Sequence, residues 1–427
     1  MFHLGWFLSY YPQGWNEGHS DRGNYFPNPD AYVDFARALE RAGFDYMMIE
    51  DGSFIPDAFG SSMEYSLSTT FAAPKHDPMA LVPLLAQATE HIGIIATMTT
   101  TFYPPFLAAR LMTTLDHLSH GRVGFNLVTS HNDRTAQNYG LDKQYPHDER
   151  YAIATDWAKA VTALLTSWDD DAVLDDVEAG VYADHTKIHQ VDYEGTYFST
   201  RGPLNAPPGP QRLPVICQAG GSPVGREFAS TYADTIVAPS GTVEWMTEYR
   251  KDIRARVAAH GRNPDDVKVM FLTDFIIGDT HDDALELQRR KQAEAESDVS
   301  KTLARMSFAS GIDFAAFDLD QPVPAFETNA ARTTTDAFFK GREHLTLREI
   351  ATQLPPSLTI VGSPATAADQ MEAVMEEVGG DGFLIGSSVT PRAVADFAGD
   401  LAPELRRRGL IRDGYADTTF KNNLRAF

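Results

Sequence analysis

Eight runs of strand-forming residues recur along this chain, each followed by a run with helical periodicity, and that alternation limits the possible architecture more than any other feature. The strand-like runs are 2–8 (FHLGWFL), 44–50 (FDYMMIE), IGIIATM, 122–128 (RVGFNLV), 213–219 (LPVICQA), DTIVA, 267–277 (VKVMFLTDFII) and GFLIGS. Among the intervening helices, NPDAYVDFARALERAG is expected to start at Asp30 as N-cap and stop at Gly43, and another is expected from about His147 to Ser167. Eight such units fit the closed (β/α)8 TIM barrel of the α/β class. A doubly wound sheet is the alternative, but no GxGxxG follows the first strand. The expectation is one domain over 1–427 with insertions at about 52–77, 168–212 and 279–362, placed at the C-terminal face where such barrels build their pockets.

Composition removes some functions. Lys and Arg number 36 against 59 Asp and Glu, a net charge of −23, which disfavours nucleic acid and anionic membranes as partners. The single Cys217 excludes an internal disulfide and suits a reducing, cytoplasmic location. No secretory signal or transmembrane-length apolar run is visible. A small-molecule ligand remains open.

Barrel logic directs attention to polar residues at strand ends. Asp51 follows the second strand, although an acid there reads equally well as the cap of a helix. Thr97, Thr99 and Thr101 share one face of the third strand's exit, or reflect strand propensity and turn chemistry alone. Asn126 sits inside an apolar strand and, if buried, needs a ligand, a water or a polar neighbour. After the fifth strand, QAGGSPVGREF can curl backbone N–H groups toward an anion, with Gly221 permitting close approach and Ser222 adding a hydroxyl. The alternative is a plain turn with Ser222 as N-cap. His147 and Tyr151, four apart at a helix start, share one face. No HExxH or other metal-ligand spacing occurs.

Taken together, GRVGFNLVTS, AQNYG, HDERY and QAGGSPVGREFA, after HLGWFL and an IED strand end, resemble the bacterial-luciferase-like flavin monooxygenases. Within that family they are similar to the branch of nitrilotriacetate, EDTA, dibenzothiophene-sulfone and dimethylsulfide monooxygenases, over residues 2 to about 410. The resemblance implies a TIM barrel that binds reduced FMN (FMNH2) delivered by a separate NAD(P)H:flavin reductase. Such a two-component enzyme uses O2 to oxygenate a small organic substrate, sulfur- or nitrogen-containing compounds among them. It also implies a homo-oligomer, dimer or tetramer.

Position by position, the resemblance assigns flavin contacts to Asp51, to Thr97 or Thr99, and to Asn126, with His147, Tyr151, Gly221 and Ser222 toward the phosphate and ribityl. Asn126 and His19 are the candidate catalytic groups. Gly221 stands where relatives carry a serine, and Phe125 where Trp is common, a change expected to alter pocket shape. The aromatic loop after the first strand and insertion 279–362 are expected to cover the site. Two readings compete: a deazaflavin-dependent oxidoreductase of the same fold, and a non-catalytic partner subunit of a heterodimer.

Overall fold

The computed structural model describes residues 1–12, 28–330, 332–353, 357–387 and 389–427. Its core is a closed parallel barrel of β1 (His3–Leu8), β2 (Tyr46–Ile49), β3 (Gly93–Thr99), β4 (Val123–Val128), β5 (Val215–Gln218), β6 (Thr235–Pro239), β7 (Lys268–Ile277) and β8 (Gly382–Gly386). Each strand pairs with the next, and β8 returns to β1 through His3↔Gly382 to Phe7↔Gly386, closing the ring. A helix follows each strand: α1 (Pro29–Arg41), α2 (Pro78–Ala88), α3 (Pro105–Leu118), α4 (His147–Leu165), α5 (Pro223–Tyr232), α6 (Val243–Ala259) and α7 (Pro364–Val378). The eighth helical run starts as α8 (Pro391–Val394) and continues through a π-helical stretch, Ala395–Leu401, into Ala402–Arg407.

Alternation along the strands sets two cores. One parity packs inside the barrel, where Tyr46, Met48, Ile95, Val215, Cys217, Val237, Met270 and Leu384 form a buried cluster. The other parity faces the helices. Phe125 has this outward parity and joins the outer core, so it shapes helix packing and not the pocket; the expectation of an altered pocket is corrected.

Three further expectations change. Asn28, not Asp30, caps α1: Pro29 occupies the first helical position, and Asn28 Oδ1 accepts the Asp30 N–H at 3.0 Å. The segment Thr359–Gly362, counted within the last insertion, is a ninth strand paired with Asp274–Ile277, the part of β7 that outruns the barrel. The insertion at 168–212 leaves from α4, not from a strand, and so lies at the opposite end of the barrel from the mouth. There Gln211 donates to Asp116 on α3 and to the Val123 carbonyl at the start of β4. Insertions 52–77 and 279–362 follow β2 and β7 and do stand at the mouth.

The far end of the barrel is stoppered. The short helix Phe420–Leu424 sends Phe420 into the interior against Gly93 and Gly124, where an added Cβ at Gly93 would meet the ring at 2.5 Å. Phe420 is fully buried. Phe420→Ala is therefore expected to cost about 3–5 kcal/mol of unfolding free energy, measured by urea denaturation; a loss below ~1 kcal/mol would mean the stopper contributes little.

Candidate active site at the barrel mouth

Thr97 and Asn126 stand opposite each other in the β3–β4 register, with the interior parity of Ile95 and one layer nearer the mouth. Asn126 Nδ2 donates to Thr97 Oγ1 at 3.0 Å, and Thr97 Oγ1 donates to the Ile49 carbonyl at 2.8 Å. These two bonds tie β2, β3 and β4 together. They leave Asn126 Oδ1 buried with no acceptor role filled among the described residues. Such an orphan acceptor costs about 1–3 kcal/mol unless a ligand donates to it.

Thr99 has a different task. Its hydroxyl accepts from Ser130 Oγ at 2.9 Å, pinning the exit of β4. Ser130 itself has a left-handed backbone, φ 49°, which is uncommon for a non-glycine residue and recurs at functional turns. Thr97 is thus the strand-three residue beside the amide, and Thr99 the residue that holds the loop.

Asp51 is the second residue past β2, and no helix begins directly behind it; its Oδ1 accepts the Gly52 N–H at 2.7 Å. The helix-cap alternative therefore fails. Burial pushes the carboxyl up to about 6; Asp77 and Glu50 add to this, while the Gly52 bond and Lys75 oppose it. Lys75 is committed to Glu50 at 2.8 Å.

The anion side is built by α4 and the β5–α5 turn. His147 and Tyr151 lie one turn apart at the start of α4, ring centroids 5.4 Å apart. The buried Tyr151 hydroxyl lies beside the Gln218 and Ser222 side chains. It can come so close because residue 225 is glycine: a Cβ there would lie 2.7 Å from the hydroxyl. Ser222 does cap α5, its Oγ accepting from Gly225 N–H at 3.2 Å. The Gly220 carbonyl accepts from Tyr249 Oη at 2.7 Å and the Gly221 carbonyl from Arg226 Nε at 3.1 Å. Among the described residues no acceptor faces the Gly221 or Ser222 N–H, and Gln218 Oε1 is a second buried orphan. Free N–H groups and hydroxyls on one side, and free amide oxygens on the other, fit a phosphate-bearing flavin: the former suit phosphate, the latter ring and ribityl donors.

Beside this site the first and third insertions, with Asn132 from the loop after β4, line a small recess. Phe54, Phe59, Phe71 and Phe308 line it, and Phe308 stacks on Phe54 at 5.6 Å. Its polar lining is already engaged: Asp57 pairs with Arg134 at 3.0 Å, Ser66 donates to the Pro56 carbonyl, and Asn132 caps the helix Asp133–Asn138. The ring of His131 meets Phe308 edge-on at 5.7 Å. Burial, and then the positive charge of Arg150, pull the His131 pKa down to about 4, so the imidazole is neutral at pH 7, with Nε2 without a partner among the described residues.

Of the sequence-derived residues, the structure brings Thr97 and Asn126 together at the mouth, and Tyr151 to Ser222 in the β5–α5 turn. His19 lies outside the described residues. Sequence reading missed Arg150 and Asn329. Arg150 falls within the quoted HDERY, but an arginine next to an acid reads as a surface residue; Asn329 falls in a stretch without periodicity.

The family model for luciferase-like monooxygenases matches residues 2–382. Dimethyl-sulfide monooxygenase of Hyphomicrobium sulfonivorans is 36% identical over 401 residues, 92% of this chain and 83% of the relative. Nitrilotriacetate monooxygenase component A of Aminobacter aminovorans is 33% identical over 404 residues, 92% of this chain and 89% of that one. A crystal structure of riboflavin lyase with modified FMN and riboflavin superposes with a TM-score of 0.89 at 29% identity, covering 100% of this chain and 96% of that chain.

Asp51 gives a test by titration. Its folded pKa, about 6, lies above the unfolded value, so its contribution to stability is present below pH ~4 and is lost as pH rises through 6. Asp51→Asn should therefore gain melting temperature relative to wild type between pH 4 and pH 7.5. A difference that stays flat across that range would show the carboxyl to be unperturbed.

Proposed function

The chain belongs to the family of luciferase-like monooxygenases, and from that premise we propose that it is the FMNH2-dependent oxygenase of a two-component system, served by a separate NAD(P)H:flavin reductase. Its substrate is a small, uncharged organic molecule, with thioethers and other sulfur or nitrogen compounds the first class to try. The observation that carries the reading is the buried Asn126 Oδ1 at the mouth, without a partner among the described residues, on the same rim as a Gly-Ser turn whose two N–H groups meet no described acceptor.

When bound, reduced FMN supplies the two electrons that divide O2 between the substrate and water. The protein's share is binding, orientation and exclusion of solvent. The N–H groups of Gly221 and Ser222, with the Tyr151 and Ser222 hydroxyls, would hold the phosphate; His147 stands beside Tyr151. Asn126 Oδ1 and Gln218 Oε1 would accept from ring and ribityl donors. Asp51, held near neutrality by burial, can keep or release a proton at its carboxyl close to physiological pH. The phenylalanines of the recess exclude water beside it, which limits wasteful loss of reducing equivalents.

The recess also supports the substrate class. Relatives act on a neutral thioether and on a tricarboxylate, going by their names, so the family does not decide between them. Here the lining carboxylate already has its arginine, among the described residues no lining side chain is a cation, and the walls are largely aromatic. A polycarboxylate entering this recess would lose its hydration without compensation.

Two measurements test the reading. Ser222→Ala and Tyr151→Phe should weaken FMN binding roughly 10-fold or more while changing riboflavin binding little, as followed by fluorescence titration. Equal losses for both flavins would remove the phosphate assignment. With an added flavin reductase, oxygen uptake coupled to product should appear with dimethyl sulfide or thioanisole and not with nitrilotriacetate. The reverse preference would overturn the substrate class.

A further inference from the structure

Arg150 is among the most deeply buried charged residues here, 1% exposed, and it joins three separate parts of the mouth. Nη1 donates to the Ser130 carbonyl at 2.9 Å, on the loop leaving β4. Nη2 donates to the Asn329 carbonyl at 2.9 Å, in the third insertion. Its own backbone belongs to the first turn of α4, next to Tyr151. The Ser130 carbonyl is the one attached to the left-handed residue, so the guanidinium holds a conformation the backbone would otherwise leave.

Asn329 completes the junction from the other side. Its Oδ1 accepts the His147 N–H at 2.9 Å, capping α4, a helix whose preceding residue, Pro146, supplies no side-chain cap. Its Nδ2 donates to the Tyr145 carbonyl at 2.9 Å. The adjacent Thr328 donates to the Ser310 carbonyl at 2.6 Å, tying the same segment to the helix Ser300–Ser310. That helix carries Phe308, the wall of the aromatic recess, against Phe54, Phe71 and His131.

A continuous set of hydrogen bonds thus runs from the recess wall, through Thr328 and Asn329, to the helix turn that presents His147 and Tyr151. We propose that Asn329 and Arg150 are positioning residues that make the recess wall and the anion side of the cofactor site one mechanical unit, so that flavin binding seats the substrate recess. The proposal rests on the flavin reading for its second half only. Neither residue touches the reacting atoms. Their role is to make occupancy of one site felt at the other, which is a coupling free energy and therefore reciprocal.

Hydrogen–deuterium exchange on the full chain tests this. Without flavin, Asn329→Ala should speed exchange both in the first turn of α4 (147–151) and in the helix 300–310; faster exchange around residue 329 alone would overturn the junction. Adding FMN to the wild type should slow exchange in both segments. In Thr328→Val, which leaves the α4 cap intact, FMN should still protect 147–151 but no longer 300–310. Protection confined to 147–151 in the wild type would overturn the coupling. If FMN protects neither segment, the flavin reading fails, and the comparison without flavin still decides the junction. Fluorescence titration adds a magnitude: FMN affinity should fall roughly 10-fold in Asn329→Ala, and an unchanged affinity would count against the proposal.

Discussion

A buried side-chain amide inside a parallel barrel has few neighbours it can use, and the mouth of this molecule is organised around that restriction. Asn126 finds one partner, Thr97, because β3 and β4 pair them directly. Thr97 in turn spends its hydroxyl proton on the Ile49 carbonyl. The bonds run in one direction, so the amide oxygen is the group left over. A one-residue slip between β3 and β4 would turn one side chain of the pair into the outer core and leave both polar groups without their partner. Strand register, and not loop conformation, therefore creates the open acceptor.

Much of this was legible in the sequence because it depends on period. Strand alternation put Thr97 and Thr99 on one face and singled out Asn126, and the barrel's eight β/α units followed from their repetition. Counting could not separate the two threonines, since both point inward. The difference lies in what each meets, Asn126 for one and Ser130 for the other, and that is a tertiary fact. For Phe125 the reverse holds: its expected effect on the pocket rested on its standing where Trp is common in the family it resembles, although its own parity already places it outside. The insertion at 168–212 differs from the other two in its attachment point: it follows a helix, and a loop that follows a helix leaves the barrel at the far end.

Arg150 and Asn329 were invisible to these rules. Arginine beside glutamate at a helix start ordinarily means a solvated pair, and here the guanidinium is buried on backbone carbonyls. A stretch without periodicity ordinarily means an irregular loop, and here it supplies the cap of α4. They depend on contacts made 179 and 182 residues apart in the chain, which no local pattern encodes. The insertion has its own small core, with Leu303, Met306, Phe314, Phe338, Leu347 and Ile350 buried together, so it presents residue 329 from a body with its own packing.

The two halves of the mouth thus obey different constraints. The acceptors assigned to the cofactor, Asn126 and Gln218, stand on barrel strands whose register is fixed by closure, so substitution elsewhere moves them little. The recess walls come from the insertions after β2 and β7, where sequence can change without disturbing the barrel. Relatives named for a thioether and for a tricarboxylate are what such a division permits. The electrostatics follow the same division. Despite a net charge of −23, the side of the mouth next to the recess contains a buried guanidinium, whose field, added to burial, helps keep His131, edge-on to Phe308, neutral. The guanidinium that bonds the β4 exit to the third insertion is thus also a charge that holds His131 in its neutral form.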